Sequence, residues 1–375
     1  MTPPRVRFLL IRQLIDVYLY FVMDIPATVV QRERAPLRSA EAKRARVAIA
    51  GATGYAGQEL VRWMAGHPAA RITAAMSSAP DGPPRALPAL NRIWDGVVEP
   101  FSLERLVEEA DVVFLALPEE AAATNAPALL DRGVRVIDLS GAFRLRDATL
   151  RERWYPATRI GALKPVYGLT ERNYAAIRTA QLVTNPGCYP TAALLALGPL
   201  ADAGLLTGDI VIDAKSGISG AGKKPSERTH FSEADGNIAA YGVFGHRHQP
   251  EIEQELGAPV VFVPHYVPLD RGILETIFGR LRPGTTAERV ADVMEAAYRD
   301  VPFVRLTGET LPEIKHVAHT NFCDIGWRVD GSGRLLMVSV IDNLLKGAAG
   351  QAIQNLNVAL GLDERTGLLS IDCSP

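Results

Sequence analysis

The sequence predicts an α/β protein in two parts, a doubly wound parallel sheet followed by an α+β unit with a mixed sheet, and three observations carry that prediction. Short β-rich runs alternate with helical patterns from Arg46 to about residue 187, and a glycine-dense turn marks the first strand-to-helix junction. After Cys188 the texture changes to strand-like runs separated by long connections. Regular alternation builds parallel sheets, whereas spaced strands build mixed or antiparallel ones. At 375 residues the chain is also too long for one ordinary core.

The first 44 residues stand apart. Phe8 to Met23 is rich in Leu, Ile, Tyr and Val, but Arg12 and Asp16 interrupt it, and roughly 20 clean apolar residues are needed to span a bilayer. Charges inside the segment and the lack of a small-residue cleavage site argue against a signal peptide. With the polar, basic stretch Gln31 to Arg46 behind it, residues 1–44 read as a poorly ordered extension. A partner-binding amphipathic helix is the other reading.

Arg46 to Ala50 predicts the first strand, and Gly51-Ala52-Thr53-Gly54-Tyr55-Ala56-Gly57 the turn. The pattern Glu59, Leu60, Val61, Trp63, Met64 predicts the following helix. Glycines in that order permit a tight turn and let a pyrophosphate rest on the helix N-terminus, so Gly51, Thr53, Gly54, Tyr55 and Gly57 are candidate dinucleotide contacts in a Rossmann-type unit. The next strand, about Arg71 to Met76, ends at Ser77 and Ser78, where an NAD enzyme usually presents a carboxylate to the adenosine ribose. Without that carboxylate nothing repels a 2′-phosphate, which predicts NADP. Asp111 to Leu117 and Val134 to Leu139 read as central parallel strands, the first delivering Leu117 and Pro118 to the cofactor. Beyond Cys188, strands are expected over Asp209–Ala214, Val260–Val263, Leu274–Leu281 and Leu335–Ile341. A final helix spans Asn343 to Leu360, whose Gly347-Ala348-Ala349-Gly350 permits close packing against another backbone.

A formal net charge of −2 with no long run of like charge gives no footprint for nucleic acid or an acidic membrane. Small-molecule chemistry is the expectation. Cysteines at 188, 323 and 373 show no paired spacing, which fits a reducing cytoplasm and no structural zinc. An isolated Cys is more often a small buried hydrophobe. Cys188, however, precedes the apolar run Ala192 to Leu200. A helix there places its thiol among unpaired N–H groups that favour an anion, making it a candidate nucleophile with a lowered pKa. A thiolate beside a dinucleotide attacks an aldehyde to give a thiohemiacetal that donates hydride, and phosphate then cleaves the thioester; run backward, the site reduces an acyl phosphate. His246 and His248 are the candidate proton carriers, with a purely structural histidine pair as one alternative reading. A metal-binding pair is the other, but no further ligand cluster lies near them in sequence.

These motifs resemble the N-acetyl-γ-glutamyl-phosphate reductase family, the arginine-biosynthesis branch of the semialdehyde dehydrogenases. The resemblance rests on Gly51 to Gly57, Asp138 to Arg144, Tyr167 to Glu171, Asn185 to Thr191, Ser216 to Gly222, His246 to His248, Val267 to Gly272 and Asn343 to Gln351. It runs from about residue 46 to the end and leaves out the extension. It implies a fold like those of semialdehyde and glyceraldehyde-phosphate dehydrogenases, with an NADP-binding domain over 45–187, a catalytic and oligomerisation domain over 188–341, and a segment over 342–375 returning to the first. It further implies Cys188 as nucleophile, one of His246 and His248 as acid–base, and NADPH-dependent reduction of N-acetyl-glutamyl 5-phosphate by a cytoplasmic homodimer or homotetramer. Ser219, Gly220, Asn343, Lys346 and Gly347 join the cofactor set. Arg144, Lys223 and Arg271 are the candidate anchors for an acyl phosphate bearing a carboxylate, because guanidinium and ammonium groups suit both anions. The family's habitual acid before Phe143 is Ala142 here. Rivals are aspartate-semialdehyde dehydrogenase, a reductase of carrier-linked aminoadipyl or glutamyl phosphate, and a non-catalytic NADP-binding regulator.

Overall fold

Val112, Val113, Phe114 and Leu115 are all buried, as a strand covered on both faces requires. In the computed structural model, which describes residues 44–369, they form a central strand of a six-stranded sheet. Its strands are β1 (Ala45–Ala50), β2 (Ala70–Met76), β3 (Val112–Leu115), β4 (Arg135–Asp138), β5 (Pro165–Tyr167) and β6 (Leu182–Thr184). The order is β2-β1-β3-β4-β6-β5, with every pairing parallel. The chain therefore leaves β1 to one side and returns on the other at β3. The crevice at such a reversal is where open parallel sheets bind ligands. Residues 1–43 of the extension expected over 1–44, and Cys373, lie outside the described residues.

The second sheet is mixed and seven-stranded. It comprises β7 (Leu206–Gly217), β8 (Ala239–Ala240), β9 (Val260–Val267), β10 (Ile273–Leu281), β11 (Val304–Gly308), β12 (Cys323–Val329) and β13 (Arg334–Ile341), ordered β11-β12-β13-β10-β7-β9-β8. Strands β7–β9 and β11–β12 pair in parallel, the rest antiparallel. The helix Cys188–Asp202 is apolar nearly all round and buried from Tyr189 to Gly198. It fills the space between this sheet and the helices His248–Leu256 and Ala287–Tyr298, with Leu194, Ile212, Ile252 and Met294 in one cluster.

The last helix, Gly350–Ala359, is preceded by a wide turn over Leu345–Ala349. Ile353, Leu356 and Val358 pack with Val47, Ile49 and Phe114 of the first sheet. Lys346 and Glu171, both fully buried, pair at 2.5 Å beside Gln354. Removing one partner from such a pair strands a charge away from water, so the pair fixes how the segment seats.

Candidate active site

Cys188 is the first residue of its helix, and the extended Gly187 precedes it. The loop leading into it is held at Asn185 and Gly187. The Asn185 backbone N–H donates to the Asp138 carbonyl at 2.7 Å, and its side chain donates to the Ala348 carbonyl at 3.1 Å. Gly187 N–H donates to Glu251 Oε1 at 2.8 Å, an oxygen that also accepts the Tyr167 hydroxyl at 2.8 Å. Arg144, buried beneath, reaches Glu251 Oε2 at 3.3 Å and donates to the carbonyls of Asn185 and Leu139 at 2.8 Å each. The C-terminal segment closes the other side. A Cβ added to Gly347 would stand 2.8 Å from that of Cys188, so only glycine lets this backbone approach the thiol.

Two cavities meet at Cys188. One, of about 650 Å³, runs from the glycine turn past Ser78, Leu117, Pro118, Ser219 and Gly220 to Asn343 and Gly347. The other, of about 360 Å³, is walled by Trp154, Tyr189, Tyr241, Tyr266, His246 and His248. The Tyr241 and Tyr266 rings stack at 4.1 Å. The larger cavity suits a dinucleotide. Gly51 has φ +92°, a Cβ there would overlap the Ala116 carbonyl, and one on Gly57 would overlap the Gly51 carbonyl. Turn and helix N-terminus thus press together, presenting N–H groups to an anion.

Cys188 and both histidines are neutral at rest. Burial pushes the Cys188 thiol up to about 11, opposing the Tyr189 N–H and the Arg144 charge. This corrects the expectation of a lowered pKa, since desolvation outweighs the helix terminus. Burial, helped by Arg247, lowers His246 to about 4, and burial holds His248 well below the ordinary imidazole range. His246 Nδ1 accepts the His248 backbone N–H at 3.1 Å, so its neutral ring carries the proton on Nε2. His248 lies against the nucleophile loop, its Nε2 2.6 Å from where a Gly187 Cβ would stand, and its buried Nδ1 has no hydrogen-bond partner. It therefore keeps an uncommitted nitrogen for a proton. Among the described residues no cluster of His, Cys, Asp and Glu could hold a metal.

Thr53, Gly54 and Tyr55 line the large cavity. Five other residues sit differently. Ser77 turns its hydroxyl to the Ala79 carbonyl at 2.9 Å and leaves Ser78 at the cavity wall. Lys346 is absorbed by Glu171 and does not reach the cofactor cavity. Arg271, expected to anchor substrate, pairs instead with Glu59 at 2.6 Å and Asp342 at 3.3 Å, outside both cavities. Lys223 donates to the Thr53 carbonyl at 3.0 Å and lies over the Tyr55 ring, on the dinucleotide side. Arg144 borders the cavity, but each guanidinium nitrogen is already engaged. It positions the loop. Glu251, Arg247 and the aromatic wall were not foreseen. Glu251 follows His248 by three residues on one helix, the single signal that could have found it.

Residues 46–180 match the family model of the semialdehyde dehydrogenase NAD-binding domain, and residues 188–343 match that of the semialdehyde dehydrogenase dimerisation domain. The chain is 46% identical over 337 residues to the N-acetyl-gamma-glutamyl-phosphate reductase of Geobacillus sp. (strain WCH70), covering 86% of this chain and 98% of the relative. It is 45% identical over 338 residues to that of Desulforapulum autotrophicum, covering 86% and 97%. Its fold is similar to that of aspartate semialdehyde dehydrogenase II from Vibrio cholerae, with a TM-score of 0.65 at 19% identity over 85% of this chain and 99% of that one. Aspartate semialdehyde dehydrogenase from Candida albicans gives 0.61 at 17% identity, over 84% and 98%. The chain belongs to the N-acetyl-γ-glutamyl-phosphate reductase family of semialdehyde dehydrogenases.

Proposed function

We propose that this protein reduces N-acetyl-L-glutamyl 5-phosphate with NADPH, releasing phosphate and N-acetyl-L-glutamate 5-semialdehyde, the reduction step of arginine biosynthesis. The observation that carries the reading is a cysteine at a helix N-terminus where a dinucleotide-shaped cavity meets a smaller aromatic one containing two neutral histidines. His248 takes the Cys188 proton as the sulfur attacks the acyl carbon. The carbon–oxygen bond to phosphate breaks, phosphate leaves with its electron pair, and a thioester remains on Cys188. When bound, the nicotinamide dinucleotide supplies the reducing hydride. His246, with its proton on Nε2, stabilises the oxygen that becomes negative on the sulfur-bound carbon; the carbon–sulfur bond then breaks to free the aldehyde, its electron pair going to sulfur, which takes back the proton held by His248. Free Ser78 at the cavity wall and Lys223 above the glycine turn support a preference for NADP over NAD.

Residues 188–343 carry self-association as a homodimer or homotetramer, supported by their match to a dimerisation domain and by Phe278 left exposed on β10. Among the described residues no helix is long and apolar enough to cross a membrane. A cytoplasmic setting suits a thiol nucleophile, which must stay reduced. The test is phosphate-dependent reduction of NADP with N-acetylglutamate semialdehyde beside aspartate semialdehyde. Turnover of the first alone supports the reading; turnover of aspartate semialdehyde at equal or greater rate overturns it.

A further inference from the structure

A separate cavity of about 200 Å³ lies beside Arg144, and Cys188 does not line it. Phe143, Leu145, Ile160 and Pro165 give it apolar walls. Its charge comes from Arg151. Arg144 and Arg146 answer Glu251 and Glu255, but Arg151 donates only to the backbone carbonyls of Leu145 and Arg146, at 2.9 and 3.0 Å. Among the described residues no carboxylate pairs with it or lines the cavity. Thr184 also borders this space, 2% exposed, with a buried hydroxyl that makes no hydrogen bond. Buried polar atoms without partners are rare in folded proteins and each calls for a partner from somewhere.

The chemistry of the walls selects the ligand. One uncompensated guanidinium and one spare hydroxyl match a single carboxylate. A phosphate dianion would need more free donors than the cavity holds, and would leave the apolar walls uncovered. A zwitterionic amino acid would find no carboxylate among the lining residues to pair with its ammonium group. We propose that this cavity is a second ligand site, taking a small monocarboxylate with a short aliphatic body, and that its occupancy is felt at the nucleophile loop through Arg144 and Tyr167.

The route is short. Among the described residues Arg144 alone borders both this cavity and the dinucleotide cavity. Tyr167 borders this one while its hydroxyl holds Glu251 Oε1, the same oxygen that accepts Gly187 N–H. A ligand carboxylate beside Arg144 competes with Glu251 for the guanidinium, slackens the hold on Gly187, and lets Cys188 drift from its attacking position.

Isovalerate is the probe, followed by ligand-observed NMR on the full chain, with isovaleramide and L-valine as uncharged and zwitterionic controls. Isovalerate is expected to bind at least about tenfold more tightly than either control, the scale of one charge-assisted contact. Arg151→Gln should weaken it by a similar factor, Arg151→Lys by less, and Thr184→Val by a few-fold, each variant keeping the wild-type melting temperature within a few degrees. Saturating isovalerate should lower kcat at least threefold without changing the substrate KM. Binding is read without turnover, so the site can fail or survive independently of the reaction proposed above. No binding, binding indifferent to Arg151→Gln, or displacement of isovalerate by the semialdehyde substrate overturns the site. Binding with unchanged kcat overturns the coupling.

Discussion

Replacing Glu251 by Gln isolates the charge that balances Arg144 while sparing the oxygen that holds the loop. Gln keeps an acceptor for Gly187 N–H and the Tyr167 hydroxyl, both at 2.8 Å. What it loses is the anion opposite a guanidinium whose side chain is 7% exposed. Breaking a buried pair by neutralising one member costs about 3–5 kcal/mol, because the other charge stays desolvated. Against a total stability of about 5–15 kcal/mol, that is a large fraction. Urea unfolding at one protein concentration should show the loss in the midpoint with little change in slope. Arg144→Met alone should also destabilise. The double variant should recover part of the combined loss, giving a coupling energy of roughly 1–3 kcal/mol for groups in direct contact. In kinetics, a shift of about 1 Å in the nucleophile is enough to lower kcat by roughly 10²-fold. If Glu251→Gln unfolds within 0.5 kcal/mol of wild type, or the two single effects simply add, then the pair does not hold the loop and the reasoning fails.

Cys188→Ser should keep NADPH binding and lose nearly all turnover, measured by fluorescence titration and steady-state rates in one preparation; near wild-type turnover would remove the nucleophile assignment. His248→Asn should lower kcat by about 10²–10⁴ and His246→Asn by less, and the reverse order would exchange their roles. Restoration of activity by zinc after chelation would replace both roles with a metal site. NADPH should bind more tightly than NADH in the same titration, and equal affinities would defeat the argument from Ser78. His246 titrates near 4 when folded and near 6.5 when unfolded. The unfolded chain therefore binds its proton first, so stability is unaffected above about pH 6.5 and is lost as pH falls toward 4, in total about 3 kcal/mol at ~1.4 kcal/mol per unit. Unfolding midpoints at pH 7 and 4.5 should lie closer together in His246→Asn than in wild type; identical pH dependence in the two proteins refutes this.

The local parts of this molecule were readable from sequence. Arg46 to Met64 carries strand, turn and helix in one continuous signal, and Cys188 lies where an apolar helix begins. β5 and β6 escaped because three residues, such as Pro165–Tyr167, are too few for a period to appear. β12 escaped for a different reason. Asp324, Gly326 and Arg328 break its apolar pattern, yet Asp324 pairs with Arg305 at 2.6 Å, and a Cβ on Gly326 would stand 2.5 Å from the Thr310 carbonyl. The charges were harder to read than the glycines. Nothing adjacent in sequence distinguishes Arg271 and Lys346, which meet buried acids far along the chain, from Lys223, which reaches into the cavity. Glu251 is likewise one of three acids on its helix, with Glu253 and Glu255, marked out in sequence only by its spacing from His248.

The approach of Gly347 to Cys188 also bears on how the protein is made. The thiol belongs to the middle of the chain, but the backbone that covers it is synthesised more than 150 residues later. A nascent chain that has emerged through β13 already contains the cysteine and both histidines, with one wall of the site missing. Catalytic competence therefore arrives as a late event, after the segment from Asn343 to Ala359 has folded back, and chains cut short before it are synthesised with every reacting side chain and no working site.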